Sequence, residues 1–314
     1  MTGGAREQAA LLPPAPGVYR FRDARGRVLY LGRATSLRSR VASYWGDLGD
    51  RAHLGRMMAM VARVEAVACD SVHEAAWLER NLLQARKPPW NRAPSGGQEV
   101  EVWIRLSDDA RTPGVTVVHE RQEHERQEHE RQGHDRHFGP YLGGRQVRLA
   151  VSGLSRVLPL NYASEELAGT RQDMARVRGV SAADRVMLAD TVANVLRREP
   201  KAVTSLRKSL TERRDAAAHI LAFELAARLQ QEIEAIDWVT AEQKVTRQDP
   251  ADFDVCGWAD GTLVSFAIRG GRLTGWTQRA CGQATARRHV EPVPPGWAPF
   301  ARRNAQLAAR LTGG

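Results

Sequence analysis

The chain has 314 residues, with Lys+Arg 46 against Asp+Glu 36, a formal net charge of +10 and 42% apolar residues. These proportions exclude a disordered tail, a collagen-like fibre and a disulfide-stapled miniprotein, and the length predicts about two domains with cores of their own. The longest uncharged apolar stretch of the N-terminal third, Met57 to Ala62, is far short of the roughly 20 residues that span a bilayer. Arg6, Glu7 and the prolines at 13, 14 and 16 do not suit a secretory signal, so a cytoplasmic protein is expected. Cys69, Cys256 and Cys281 are too few and too scattered for a disulfide framework or a Cys-rich metal centre.

The basic surplus is unevenly placed. Pro14 to Tyr44 holds Arg20, Arg22, Arg25, Arg27, Arg33, Arg38 and Arg40 against Asp23 alone. Only four of the 46 cations are lysines, and guanidinium forks suit phosphate oxygens, which makes DNA or RNA the first partner to consider. On charge alone, a solvated, Arg-biased face remains the better explanation.

Residues 17–22 and 27–31 read as strands around the turn DARG, a β-hairpin. Symmetric pairing about that turn places Tyr19 directly opposite Tyr30, both phenols on one face. Gly32 closes the second strand, and Thr35 or Ser36 caps a helix carrying Leu37, Arg40, Val41 and Tyr44 at helical spacing. Residues 51–62 predict another helix and 63–69 a strand. The run His73 to Arg86 predicts a helix with Ala76, Leu78, Leu82 and Leu83 inward, ended by Pro88 and Pro89.

Strands are expected at 100–106 and 114–119, followed by a repeat of period five with histidines at 119, 124, 129 and 134. Five residues turn a helix by about 500°, so these histidines never share one face, and an expanded solvated loop is expected rather than a metal site. From 164 to 245 the chain reads as helical. Leu206, Leu210 and Ala217, then Ala226, Leu229, Ile233 and Ile236, mark two narrow apolar stripes of an antiparallel helical hairpin. Runs at 253–258, 262–268 and 272–278 predict a three-stranded meander. Pro292, Pro294 and Pro295 predict an extended linker before a helix at Ala301 to Leu311.

Gly17-Val18-Tyr19, Tyr30-Leu31-Gly32, Arg40, Tyr44, Glu79 and Asn91 follow one another in an order that resembles the GIY-YIG nuclease family. The wording PGVYRFRDARGRVLYLGRATSLRSRVASYW is similar to its UvrC branch. Residues 137–154 resemble the segment after that domain, 216–233 the UVR motif, and 253–275 the β-rich stretch beyond it. This resemblance implies an α+β fold in four segments: 1–95 nuclease domain; 96–163 β-rich extension; 164–247 helical region with the UVR motif at about 204–238; 248–314 meander and terminal helix. Residues 155–200 contain no cysteine where UvrC proteins carry a cluster, so no iron–sulfur cluster is expected. The chain stops before the RNase H-like and helix-hairpin-helix modules of UvrC, so at most one of the two incisions is expected. Arg33 stands where the family has Lys, and Gln230-Gln231 where Arg-Asp is usual.

Phosphodiester hydrolysis needs a deprotonated nucleophile, neutralisation of the phosphoryl oxygens and help for the leaving alkoxide. By resemblance, Glu79 is the ligand of one Mg2+ or Mn2+ ion, and Tyr19 or Tyr30 orients or deprotonates the attacking water. Arg33 acts through its charge only, Arg40 holds the scissile phosphate beside Tyr44, and Asn91 keeps the site together. Arg33, Arg38 and Arg40 are the expected DNA contacts. Taken singly, the tyrosines read better as a cross-strand aromatic pair and Glu79 as an exposed helix carboxylate; their joint order and spacing favour the nuclease. The expected function is a metal-dependent incision of damaged DNA. A UvrB-like helicase is the expected partner through Leu221, Phe223, Glu224, Ala227, Leu229 and Ile233, and the chain is expected to be monomeric. A non-cutting adaptor and a nuclease independent of UvrB are the alternatives.

Overall fold

The structure, a computed structural model, describes residues 3–46, 53–91, 100–119, 135–247, 249–290 and 293–313. They fall into two compact units, Met1–Gln98 together with Glu242–Gly314, and Glu99–Ala241. The first unit begins with helix α1 (Gly3–Ala10), strands β1 (Gly17–Arg22) and β2 (Val28–Ala34), helix α2 (Leu37–Ala42) and a 3-10 turn at Ser43–Trp45. Helix α3 (Gly55–Met58), strand β3 (Arg63–Ala68) and helix α4 (Val72–Ala85) follow. The second unit holds β4 (Glu101–Ser107), β5 (Gly114–Val118), β6 (Asp135–Leu142), α5 (Gly144–Val157), α6 (Thr170–Arg178), α7 (Arg185–Leu196), α8 (Pro200–His219) and α9 (Phe223–Thr240). The first unit then resumes with β7 (Phe253–Ala259), β8 (Thr262–Arg269), β9 (Arg272–Ala280), α10 (Gln283–Val290) and α11 (Ala298–Thr312). The α+β class is as expected, and the sheets, ordered β2-β1-β3, β5-β4-β6 and β7-β8-β9, are all antiparallel.

The first hairpin departs from the predicted register. Asp23 Oδ1 accepts the amides of Arg25 and Arg27 at 3.0 and 2.8 Å, and Asp23 N–H donates to the Arg27 carbonyl at 3.0 Å. The turn therefore closes one residue later than symmetry about DARG requires, with Gly26 at φ 77°. A β-bulge between Phe21 and Arg22 absorbs the shift, so Tyr19 lies opposite Gly32 and Phe21 opposite Tyr30. Tyr19 and Tyr30 still share a face, diagonally, with ring centroids 6.3 Å apart. Among the described residues of the expected helix at 51–62, Gly55–Met58 is α-helical, and at its far end the Ala62 amide donates to the Arg22 carbonyl at 2.8 Å and draws the chain into the sheet.

A three-stranded sheet leaves two edges of unpaired backbone groups. On the β3 edge, Gln8 Oε1 accepts the Val64 amide at 2.8 Å, while Asn304 Oδ1 accepts the Ala68 amide at 2.7 Å and its Nδ2 donates to the Ala68 carbonyl at 3.1 Å. On the β2 edge, Asn91 does the same to Leu31. The face of β1 that carries Arg20 and Arg22 holds the buried Glu65 of β3, 1% exposed. Glu65 pairs with Arg20 at 2.5 Å, Arg22 at 2.8 Å and Arg63 at 3.1 Å. Arg20 in turn lies 3.7 Å from the Trp276 ring centroid and donates to the Trp276 carbonyl at 3.1 Å, which joins β9 to the hairpin. A Cβ on Gly257 would sit 2.1 Å from the Ala301 carbonyl, so only glycine lets β7 approach α11 this closely.

In the second unit, Val102, Ile104 and Leu106 of β4 pack with Val147, Ala150 and Leu154 of α5 and with the inward stripes of the predicted α8–α9 hairpin. Sequence periodicity did not single out α5 or β6. Glu232 of α9 is fully buried and takes two hydrogen bonds from Arg156, at 2.7 and 2.8 Å, and one from Ser152 at 2.7 Å. Of the five-residue repeat, residues 120–134 lie outside the described residues. Around the expected proline linker, Gln283–Val290 is helical and Pro295–Trp297 forms a 3-10 turn. Among the described residues no helix is long and apolar enough to cross a membrane.

Burial pushes the Glu65 carboxyl up, but the Arg20 and Arg22 guanidiniums outweigh it and hold it below the usual carboxylate range. A depressed folded-state pKa contributes stability present above the unfolded value and lost as pH falls through the folded one. Glu65→Gln is therefore expected to cost about 3–5 kcal/mol at neutral pH, and to flatten the decline of stability below about pH 4.5. Urea unfolding across that range checks both, and an unchanged midpoint at neutral pH contradicts the assignment.

Candidate active site

Strand alternation puts Tyr19, Phe21 and Tyr30 on the face of the sheet opposite Arg20 and Arg22. Helix α2, capped by Ser36, brings Tyr44 of the following turn onto that face. The Tyr19 and Tyr44 hydroxyls lie 2.7 Å apart, and the Tyr30 and Tyr44 rings have centroids 6.1 Å apart. Gly32 makes this cluster possible. A Cβ there would lie 2.7 Å from Tyr19 Oη and 2.9 Å from Tyr30 Cε1, so any larger residue drives the phenols apart. Gly17 answers a similar demand, since its Cβ would meet the Val67 carbonyl at 2.3 Å.

Asn91 grips Leu31 with both halves of its carboxamide, Oδ1 accepting the amide at 3.0 Å and Nδ2 donating to the carbonyl at 2.7 Å. Trp90 N–H adds a bond to the Leu29 carbonyl at 3.1 Å. Residues 90–91 thus close the outer edge of β2 and fix the stretch that carries Tyr30, Gly32 and Arg33. Glu79 of α4 meets the same stretch, accepting the Arg33 amide at 3.1 Å and pairing with the Arg33 guanidinium at 3.4 Å. Arg40 is exposed, its guanidinium carbon 5.7 Å from the Tyr44 ring centroid. Arg38 is also exposed but donates to the Leu12 carbonyl at 2.7 Å, tying α2 to the N-terminal segment.

The tyrosines bear on the expectation that a phenol deprotonates water. Burial raises the Tyr19 hydroxyl well above its ordinary value, with Tyr44 and Tyr30 adding to the shift and Arg40 opposing it. Burial likewise raises Tyr30, helped by Tyr44 and Glu79. Arg40 does not overcome these effects, so both phenols are neutral hydrogen-bonding groups at physiological pH. Among the described residues no cluster of three or more His, Cys, Asp or Glu could hold a metal. The single carboxylate of Glu79, 13% exposed, still fits a hard ion that keeps most of its waters.

The expected partner-binding residues of the helical hairpin divide in two. Leu221, at φ 60°, and Phe223 are exposed by 71% and 65%, and Glu224 and Ala227 are also on the surface. Leu229 and Ile233 are 2% and 4% exposed in the second unit's own core, so a partner cannot reach them; heptad spacing marks the internal seam, and the surface is at the tip. Sequence reasoning missed the Arg20–Glu65–Trp276 cluster. Strand parity was a usable signal, since Arg20 and Arg22 alternate with Tyr19 and Phe21.

Residues 15–92 match the family model of the UvrC-like GIY-YIG domain, which makes this segment a domain of that kind. UvrABC system protein C of Mycobacterium sp. (strain KMS) is 34% identical over 286 residues, covering 84% of this chain and 40% of that protein. Its counterpart from Mycolicibacterium smegmatis is 32% identical over 283 residues, covering 84% and 38%. This chain therefore spans about 40% of the length of these relatives. Among solved structures, the GIY-YIG N-terminal endonuclease domain of UvrC from Thermotoga maritima, bound to magnesium, is 30% identical with a TM-score of 0.25, covering 27% of this chain and 93% of that one.

Burial also raises Tyr141, to about 12. Three of the five tyrosines, Tyr19, Tyr30 and Tyr141, are accordingly expected to stay protonated at pH 10, where a free phenol is half ionised. Tyrosinate absorbance of the folded protein at that pH should fall well below that of the urea-unfolded chain. Equal absorbance contradicts the buried cluster.

Proposed function

We propose that the chain is a metal-dependent endonuclease that nicks one strand of damaged DNA, in nucleotide excision repair or a related pathway, loaded by a UvrB-like partner. The observation that carries this reading is the convergence of Tyr19, Tyr30, Tyr44, Arg33 and Glu79 around Gly32. The match of residues 15–92 to the UvrC-like domain supports it.

Glu79 would hold one Mg2+ or Mn2+ ion, which would supply charge neutralisation and lower the pKa of water at the site. The Tyr19–Tyr44 hydroxyl pair orients the attacking water, and Tyr30 lies beside it on the same face. Arg40, exposed at the edge of the tyrosine cluster, takes the scissile phosphate through charge-assisted hydrogen bonds. Arg33 keeps its charge at any physiological pH, so it steadies Glu79 and the phosphoryl oxygens without moving a proton. Asn91 positions this stretch and touches no substrate.

The partner reading rests on the hairpin tip. Ile220, Leu221, Phe223 and Leu225 are exposed by 73, 71, 65 and 43%, an apolar group at one end of the helix pair and of the kind a partner helix covers.

Glu79→Gln is expected to lower Mg2+-dependent nicking of a lesion-bearing duplex by at least a hundredfold with the fold retained, checked by single-turnover cleavage and circular dichroism; wild-type rates sink the site. Replacing Leu221 and Phe223 with Glu is expected to abolish pull-down of UvrB and leave thermal stability near wild type. Retained capture removes the tip from the interface.

A further inference from the structure

The face of the first sheet that turns away from the tyrosines borders a cavity of about 800 Å3. Its walls come from the β1–β2 hairpin, the C-terminal end of α4 with the segment after it, and β9. It lies within the size range of small-ligand sites, roughly 300–1,000 Å3. Arg20, Arg22, Arg25, Arg27, Arg86 and Lys87 line it, and no Asp or Glu is among the described residues that do. Trp90, Trp276, Leu29 and Leu31 give it an apolar surface.

These cations are not equivalent. Glu65 occupies Arg20 and Arg22, and Asp23 occupies Arg27. Arg25 and Arg86 are exposed and have no carboxylate partner among the described residues. Two guanidiniums at the rim and indole rings in the wall are the combination that takes a phosphate and a planar base together. The sheet separates this cavity from Tyr19 and Tyr30, so it is a second site and not an extension of the first.

We infer that this cavity binds a nucleoside-phosphate unit, carried either by a DNA strand flanking the incision or by a free nucleotide. The inference rests on the reading of the chain as a protein that acts on DNA. Arg25 and Arg86 take the phosphate, and Trp90 packs against the base, over a floor in which Arg20 already covers Trp276.

The test uses the full chain carrying Glu79→Gln, so that cleavage does not deplete the probe. Anisotropy of a labelled single-stranded oligonucleotide is followed over a salt series. Adding Arg25→Glu with Arg86→Glu is expected to weaken binding at least tenfold and to reduce the steepness of the salt dependence by about one, for the phosphate that is no longer neutralised. Gly275→Leu is a second variant that leaves charge untouched. Gly275 lies in the wall, and a Cβ there would meet no heavy atom within 4 Å, so the larger side chain occupies open space. It is expected to weaken binding severalfold. Competition by deoxyadenosine monophosphate assigns the cavity to a free nucleotide, and loss of binding in both variants without such competition assigns it to a strand. Wild-type affinity and salt dependence in both variants overturn the inference. A failure of the nuclease reading is distinct: it appears as cleavage that persists in Glu79→Gln, whatever these affinities are.

Discussion

Side-chain carboxamides close both edges of the β2-β1-β3 sheet, and the rest of the first unit depends on that closure. Unpaired edge groups cost free energy when buried and invite pairing with other chains. Gln8 and Asn304 satisfy β3 by way of the first and last helices, so the C-terminal segment completes the N-terminal sheet. Asn91 satisfies β2 at Leu31, one residue before the glycine that admits the tyrosines and two before the amide that meets Glu79. The site thus inherits its geometry from backbone pairing, with side-chain contacts added afterwards.

The basic surplus is divided by the same sheet. A count of arginines between Pro14 and Tyr44 suggests a uniform polyanion surface, but much of that charge is used internally. Arg20 and Arg22 neutralise a buried glutamate, Arg27 closes its turn and Arg38 holds a carbonyl. Burial lowers Arg20 to about 10 even beside Glu65, the mark of a guanidinium built into a core. What remains outward is sparse and placed: Arg40 beside the phenols on one face, Arg25 and Arg86 around the cavity on the other. This segment thus leaves two short basic patches outward rather than one extended stripe.

Much of this was legible in the residues. The hairpin, α4 with its proline stop, the meander and the helical pair follow from period, caps and turn residues, and the order of Tyr, Gly, Arg, Glu and Asn picked out residues that the fold brings together at the candidate site. The hairpin register was not legible, because a bulge and an Asp23 turn of one extra residue are set by hydrogen bonds that composition does not record. The protonation of the tyrosines was not legible either, because the burial that raises Tyr19 and Tyr30, and the neighbouring phenol of Tyr44 that adds to it, are set by packing. The heptad stripe of α9 marked an internal seam, and the outward surface lies at the loop before it, where Leu221 adopts a positive φ. Long-range closure by Asn304 has no local signal at all.

The most direct test of this account separates the positioning of β2 from the chemistry. Asn91→Ala removes two hydrogen bonds to Leu31 and no group that the proposed mechanism sets against substrate. Single-turnover nicking with Mg2+, measured beside hydrogen exchange at the Leu31 amide, should show cleavage reduced at least tenfold together with loss of protection at that amide while the global unfolding midpoint shifts little. Wild-type cleavage with the Leu31 amide unprotected would contradict the dependence of the site on the closed edge.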